Sequence, residues 1–315
     1  MSERDLSQTR IAAVTRRLQV DQMAVFRPEV LPEVVRQTEA VVLDYNFDTF
    51  SLMFDLLEQT KAKGVSLSEA FVDYRVDSST LTQKYGGSNC TGLSMELKGK
   101  LSGSGIETYL APSYGRYLLT QEADDYGQIR TIDLVGLARG ESDEWIFLAP
   151  GLTIDKPMVV RDGFKIESFG NTYLIAQVTE ENFEVVTMKP NGDMLSRTFA
   201  FEEILNPDES VQKNLLRART RYQITRQYEN GSRDFITFDF PQRKFRISVG
   251  GNETLLDIDS FRNYVTTNSK SLEKRFRNTK LTTGFVNFID NIDSICQVPL
   301  LLQEVSKRSD LETSF

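Results

Sequence analysis

Residues 85–93 read Tyr-Gly-Gly-Ser-Asn-Cys-Thr-Gly-Leu, and this is the most informative stretch of the sequence. Leu93, Leu97 and Leu101 follow at intervals of four, which predicts an α-helix that begins at Cys90. A cysteine in the first turn of a helix lies at the positive end of the helix dipole, which favours the nucleophilic thiolate. The glycines before it allow a substrate or a neighbouring backbone to approach closely. A small cysteine packed in the interior fits the same pattern, since free cysteine is among the most buried residues.

The composition is that of a soluble globular protein. The chain has 315 residues, 40% of them hydrophobic and 26% charged, with a formal net charge of −8. This acidic balance argues against nucleic-acid binding, and no apolar run is long enough to span a bilayer. The N-terminus lacks the pattern of a signal peptide, and two cysteines, Cys90 and Cys296, are too few for a disulfide framework. We therefore expect a cytoplasmic protein.

The chain contains no histidine at all. This excludes Cys-His and Ser-His catalytic pairs, histidine metal ligands and histidine proton shuttles. Histidine is the usual general base near neutral pH, so any chemistry here uses another group. Dinucleotide-binding, Walker, Cys-x-x-Cys and EF-hand motifs are also absent from the sequence, and we expect no metal site.

The order of the patterns predicts an α+β fold. Residues 1–104 form a helical region that ends in the Cys90 helix, with a polar loop between Gly64 and Gly86. Residues 105–205 form an antiparallel β-barrel or sheet, and residues 206–315 add β-hairpins and helices. We expect these three parts to make one compact unit.

The spacing of apolar residues predicts the individual helices and strands. Two helices are expected before Gly64, and a closing helix is expected to carry Phe285, Phe288, Ile289 and Ile292. Strands are expected at 106–110, 128–137, 145–148, 172–178 and 183–188, and after the hairpin turn Asn191-Gly192. Another hairpin is expected to join Ile236, Phe238 and Phe240 to Phe245, Ile247 and Val249.

Together these features resemble the transglutaminase-like part of the papain-like superfamily, and in particular the arylamine N-acetyltransferases. The residues that carry the resemblance are Gly-Gly-Ser-Asn-Cys at a helix start, the strand at 106–110 and the stretch Trp-Ile-Phe-Leu-Ala-Pro-Gly-Leu at 145–152. The resemblance implies a cysteine that opens a helix beneath a β-barrel, a histidine on the next strand and an aspartate on the strand after it.

The chain departs from that pattern at two of the three triad positions. Ala149 stands where the resemblance implies the aspartate, and Gln128, or a neighbour such as Arg130, stands where it implies the histidine. We therefore expect a degenerate triad in which only Cys90 remains. Arg130 or Lys84 could stabilise its thiolate.

The candidate site residues fall into two groups. The candidate catalytic residues are Cys90, Gln128, Arg130 and Asp133, and the candidate substrate-binding residues are Tyr85, Asn89, Thr91, Tyr126 and Ala149. A buried carboxylate with a raised pKa can act as acid or base near neutrality, which also makes Asp124 and Asp125 candidates. Each of these residues has a plain alternative as a surface or turn residue, and 124–127 fits an ordinary turn.

Three arginines alternate near residue 220. Arg217, Arg219 and Arg221 would share one face of a strand and could bind the phosphates of coenzyme A or of a carrier-bound phosphopantetheine. A solvated strand face paired with acidic residues is the alternative.

The sequence thus favours a small-molecule enzyme of natural-product metabolism that uses an acetyltransferase-like cleft for a reaction without the triad. Cyclisation, isomerisation, condensation and acyl transfer all remain open, and an acyl carrier protein is a candidate partner beside the small-molecule substrate. The alternative is a catalytically inactive relative that serves as a binding or scaffold protein.

Overall fold

The computed structural model describes residues 32–72, 74, 78–106, 108–111, 113–117, 135–139, 145–201 and 221–297. Its helices are α1 (Pro32–Asp44), α2 (Phe50–Lys63), α3 (Leu67–Val72), α4 (Ser78–Tyr85), α5 (Cys90–Gly103), α6 (Ile258–Thr267), α7 (Ser269–Arg275) and α8 (Leu281–Asp290). The first eight strands are β1 (Asn46–Asp48), β2 (Gly87–Ser88), β3 (Thr108–Ala111), β4 (Ser113–Tyr117), β5 (Val135–Arg139), β6 (Trp145–Leu148), β7 (Met158–Val159) and β8 (Lys165–Ser168). The remaining strands are β9 (Asn171–Val178), β10 (Asn182–Met188), β11 (Met194–Ala200), β12 (Arg221–Gln227), β13 (Arg233–Asp239), β14 (Lys244–Val249) and β15 (Asn252–Leu256).

The α+β class is confirmed. The described strands form three open sheets of six, five and four strands rather than a closed barrel. The chain divides into two compact units, of which unit 1 comprises residues 1–42 and 93–207 and unit 2 comprises residues 43–92 and 208–315.

The six-stranded sheet belongs to unit 2 and has the order β15-β14-β13-β12-β1-β2. Strands β12 to β15 form consecutive antiparallel hairpins, of which β13–β14 is the one expected from the alternation at 236–249. Strand β1 pairs antiparallel with β12 on one side and parallel with β2 on the other. This sheet therefore joins two segments that lie far apart in the sequence.

The other two sheets belong to unit 1. The five-stranded sheet has the order β4-β11-β10-β9-β8, and the four-stranded sheet has the order β3-β5-β6-β7. The hairpin at Asn191-Gly192 joins β10 to β11 with Met188 opposite Met194. Phe147 of β6 contacts Phe183 and Phe199 with ring centroids 5.3 and 4.7 Å apart, which packs the two sheets together.

Two parts of the chain differ from the sequence expectation. Strand β1 lies in the region that the helical spacing predicted to be all helix. The strand was not predicted because three residues are too few to show alternation. The expected polar loop between Gly64 and Gly86 contains α3 and α4 instead. Helix α4 has mostly polar residues and buries its apolar side through Leu81 and Tyr85, which are one helical turn apart.

Aromatic rings fill the core of unit 2. The Phe50 ring of α2 meets the rings of Phe285 and Phe288 of α8 edge-on, with centroids 4.9 and 5.3 Å apart. Phe54, one turn further along α2, meets Phe285 in the same way at 5.3 Å. Such pairs add to the free energy gained from burying the rings, so α2 and α8 anchor this core.

Gly284 of α8 lies where α2 and α8 touch. A Cβ at this position would come within 2.5 Å of the Phe54 ring, whereas a Cβ at Gly99 of α5 would meet nothing within 4 Å. We predict that Gly284→Ala lowers the free energy of unfolding by about 1–3 kcal/mol through overpacking. Gly99→Ala should instead raise it by up to about 1 kcal/mol, since alanine favours the helix. Urea denaturation of both variants checks this, and equal effects of one sign would contradict the close packing at Gly284.

Candidate functional site

The segment before Cys90 is held by backbone pairing with β1. Strand β2 runs parallel to β1, with Asn46 opposite Gly87 and Phe47 opposite Ser88. A Cβ at Gly87 would come within 2.5 Å of the Asn46 carbonyl oxygen, so the pairing requires glycine at this position. The predicted close approach at the glycine pair is therefore an approach by the chain's own backbone.

Cys90 begins α5, a helix of 14 residues. Its side chain is half-buried, and neither Cys90 nor Cys296 forms a disulfide. Asn89 precedes the helix, and its Oδ1 accepts a hydrogen bond from the backbone N–H of Gly92 at 3.0 Å. This bond satisfies one of the N–H groups that a helix start leaves open, so Asn89 caps the helix.

Tyr85 and Thr91, which sequence reasoning placed at the substrate, are buried in unit 2. The Tyr85 ring lies 6.1 Å from the Phe54 ring, and Lys84 Nζ lies 5.0 Å from the Tyr85 centroid. Lys84 itself forms ion pairs with Asp55 at 2.6 Å and Glu58 at 2.7 Å. Burial lowers the pKa of Lys84, but its bonds to these two carboxylates outweigh that effect and raise the pKa above its ordinary value. The lysine is therefore engaged by acidic partners.

A buried carboxyl group that sequence reasoning missed lies in the same unit. Asp48, on β1, is completely buried, and its Oδ1 accepts a hydrogen bond from the backbone N–H of Ser51 at 3.0 Å. Burial raises the pKa of Asp48 to about 7, although bonds from the backbone N–H groups of Ser51 and Phe50 oppose the shift. In a protein without histidine, this carboxyl group can change its charge near neutral pH.

The other candidates are placed as follows. Ala149 is buried in unit 1 after β6, where its carbonyl oxygen accepts a hydrogen bond from the backbone N–H of Leu152 at 3.0 Å. Arg221 is the first residue of β12. The remaining candidates lie outside the described residues: Asp124, Asp125, Tyr126, Gln128, Arg130, Asp133, Arg217 and Arg219. The predicted strand at 128–137 overlaps β5 only from Val135.

The described ranges contain neither a metal-binding cluster nor a membrane-spanning helix. No group of three or more aspartate, glutamate or cysteine side chains is arranged there to hold a metal ion. None of the described helices is both long and apolar enough to cross a membrane.

Known structures with this fold are arylamine N-acetyltransferases. A cysteine-to-glutamine variant of the Mycobacterium smegmatis enzyme matches over 92% of this chain and 98% of its own, with a TM-score of 0.57 and 13% identity. The Mycobacterium marinum enzyme in complex with CoA matches over 90% of this chain and 99% of its own, with a TM-score of 0.53 and 13% identity. A Bacillus cereus enzyme described as having a Cys-His-Glu catalytic triad matches over 86% of this chain and 98% of its own, with a TM-score of 0.52 and 14% identity.

No family model matches the sequence, and no curated protein matches it. At 13% to 14% identity the structural matches establish the fold and nothing finer. The chain thus has the arylamine N-acetyltransferase fold, as the resemblance predicts. The degenerate triad and the individual site residues stay predictions.

The buried carboxyl of Asp48 makes stability depend on pH. The native state keeps the Asp48 proton up to about pH 7, whereas the unfolded chain releases it near the ordinary value of 3.8. The unfolded state therefore binds fewer protons between these values, and this group's contribution to stability falls as the pH rises through them. We predict that the free energy of unfolding of the wild type, relative to Asp48→Asn, falls by a few kcal/mol between about pH 4 and pH 8.

Urea denaturation of both proteins across this range measures the difference. Asp234→Asn is the matched control, because Asp234 is also buried in unit 2 but pairs with Arg275 at 2.8 Å. Parallel pH profiles of the wild type and Asp48→Asn would show that the pKa of Asp48 is not raised.

Proposed function

We propose that the chain is a small-molecule enzyme of the acyltransferase type, in which Cys90 accepts the acyl group and no histidine takes part. The observation that supports this most is the position of Cys90, half-buried at the capped start of a 14-residue helix. A helix start stabilises an anion through its N–H groups and its dipole, so a thiolate is favoured there without a paired imidazole. The arylamine N-acetyltransferase fold supports the same activity class.

The first step would be a thioester exchange. The Cys90 thiolate attacks the carbonyl carbon of an acyl thioester, a new carbon–sulfur bond forms, and the bond to the donor sulfur breaks. The donor leaves as a thiolate, so one thiolate replaces another and no net proton transfer is needed. This balance is why the exchange can proceed without histidine.

The second step would pass the acyl group to an acceptor. An amine or hydroxyl attacks the Cys90 thioester, loses its proton to a carboxylate or to solvent, and releases the Cys90 thiolate. Asp133 is the proposed carboxylate, with Gln128 and Arg130 as neighbours that polarise the carbonyl oxygen. An acceptor group within the acyl chain itself would give a cyclised or condensed product, as expected in natural-product metabolism.

Coenzyme A is the proposed donor, with carrier-bound phosphopantetheine as its protein-bound counterpart. The complex of the Mycobacterium marinum enzyme with CoA supports this choice. Arg217, Arg219 and Arg221 are the proposed phosphate contacts, because guanidinium groups bind phosphate oxygens in a bidentate manner.

The absence of histidine also favours a second function. In that case the protein binds acyl-CoA or a related ligand and does not convert it. Such a protein would keep the fold but would form no covalent intermediate. The two functions differ in whether Cys90 becomes acylated.

Acylation of Cys90 can be measured directly. We predict that incubation with a panel of short acyl-CoA thioesters adds one acyl group to the wild type, detected by intact-protein mass spectrometry and located by peptide mapping. Cys90→Ala should abolish the adduct, and Cys296→Ala, the matched control for the other cysteine, should retain it. A wild type that binds CoA in calorimetry yet gains no acyl group would contradict the enzyme and favour the binding protein.

A further inference from the structure

Two arginines of unit 2 converge on Asp44, the last residue of α1. Arg226, on β12, donates from Nη1 to the Asp44 carbonyl oxygen at 2.7 Å. Arg277, which follows α7, donates from Nη1 to the same carbonyl oxygen at 3.5 Å and to Asp44 Oδ1 at 2.9 Å. Because they share one acceptor, the two guanidinium groups lie side by side.

Arg226 is a buried cation without a carboxylate of its own. Only 3% of its surface is exposed, and within the described part of the chain it forms no ion pair. Arg277 pairs with Asp44 instead, and Asp234, which lies opposite Arg226 on β13, pairs with Arg275 at 2.8 Å. Burial and the neighbouring charge of Arg277 both lower the pKa of Arg226. Three cations thus meet two carboxylates, which leaves one positive charge in excess.

Both arginines keep donors that no described residue uses. A guanidinium group carries five N–H donors, and here each arginine contacts Asp44 through Nη1 alone. The Nε and Nη2 donors of each form a fork whose spacing matches two oxygens of a carboxylate or a phosphate. A charged donor that is buried without an acceptor costs free energy, so an anion beside Arg226 would stabilise the arrangement.

The end of α1 explains part of this arrangement. A helix carries a partial negative charge at its C-terminus, and α1 has no basic residue in its last turn, so Arg226 and Arg277 complement that charge. This role uses one nitrogen of each guanidinium group. It does not account for the second cation or for the two forks that face no acceptor.

The backbone fixes both arginines in place. Arg226 lies in the ladder of β12, which pairs with β13 on one side and with β1 on the other. Arg277 has a left-handed backbone conformation with φ 47°, which is uncommon for a residue other than glycine. Its carbonyl oxygen packs so closely against Gly86 that a Cβ there would collide with it. The two forks are therefore held in place before any ligand arrives, which lowers the cost of binding.

We infer that Arg226 and Arg277 form a binding site for a phosphate group, whose oxygens accept from both forks and whose charge balances the extra cation. A phosphate group has enough oxygens to serve two forks, whereas a carboxylate has only two. The Arg277 side chain is 56% exposed, so the ligand reaches the site from solvent on that side. The inference depends neither on Cys90 nor on the phosphate contacts proposed near residue 220.

Thermal unfolding in increasing inorganic phosphate, with chloride keeping the ionic strength constant, tests the inference. Binding to the native state raises Tm in a saturable way, whereas general exclusion of phosphate from protein surfaces raises it without saturation and equally in all variants. Arg277→Gln and Arg226→Lys should weaken the apparent affinity at least about tenfold, since each removes one fork. Arg243→Gln is the matched control, because Arg243 is an exposed arginine that pairs with Asp293 at 2.5 Å.

Asp44→Asn distinguishes a phosphate site from a purely structural role. The variant removes the negative charge beside both forks and keeps the carbonyl acceptor, so it should bind phosphate about two- to fivefold more tightly. A purely structural role predicts lower stability and an unchanged response to phosphate. Asp44 and Arg277 are both exposed, so their variants keep the test decisive if Arg226→Lys folds poorly.

Two results would overturn the inference. One is a phosphate response that does not saturate or that persists in Arg277→Gln, and the other is an affinity that does not rise in Asp44→Asn. Adenosine 5′-monophosphate, a phosphate monoester, distinguishes the two sources of the group, because tighter binding than inorganic phosphate assigns the site to a larger organic phosphate. A wild type that gives the expected phosphate results but gains no acyl group on Cys90 would contradict the proposed function alone.

Discussion

The parallel pairing of β1 with β2 is the interaction on which the rest of unit 2 depends. Strand β1 has three residues and β2 has two, yet β1 bonds to β2 on one side and to β12 on the other. The backbone N–H of Asn46 donates to the Gly86 carbonyl oxygen at 3.0 Å, and Thr49 exchanges hydrogen bonds with the backbone of Gln223. These bonds fix both the start of α2 and the segment that leads to Cys90.

The side chain of Asn46 shows why a polar residue is buried at this junction. Its amide nitrogen donates to the carbonyl oxygens of Gly86 and Phe276, which close the sheet against the turn that follows α7. The Gly86 carbonyl also accepts from the backbone N–H of Asn46, whereas the Phe276 carbonyl relies on the side-chain amide. A buried carbonyl without a donor costs about 1–3 kcal/mol, so an apolar residue of the same size would leave the Phe276 carbonyl unpaired. The backbones of β1 and β2 approach so closely that Gly87 has no room for a Cβ. The same close approach buries backbone carbonyls, and the amide of Asn46 donates to them.

How much the sequence predicts depends on the length over which a pattern repeats. Helices α2 and α5 and the hairpins β10–β11 and β13–β14 were predicted because their apolar residues repeat at least twice. Strands β1 and β2 are too short to show a period, and β1 pairs with β12, whose Gln223 bonds to Thr49 from more than 170 residues further along the chain. The start of the helix at Cys90 was therefore predictable, whereas what holds it in place was not.

The same reasoning applies to Asp48. In the sequence it is one acidic residue among many, and only its pairing with β12, opposite the buried Ile224, removes it from water. Burial of a carboxyl group raises its pKa, and the two N–H groups at the start of α2 only partly oppose that shift. A protein can therefore have a group that titrates near neutrality without containing histidine, provided that its topology buries a carboxyl group. In this fold strand β1 buries such a carboxyl group at Asp48, and the count of histidines in a sequence does not by itself decide whether a side chain titrates near neutral pH.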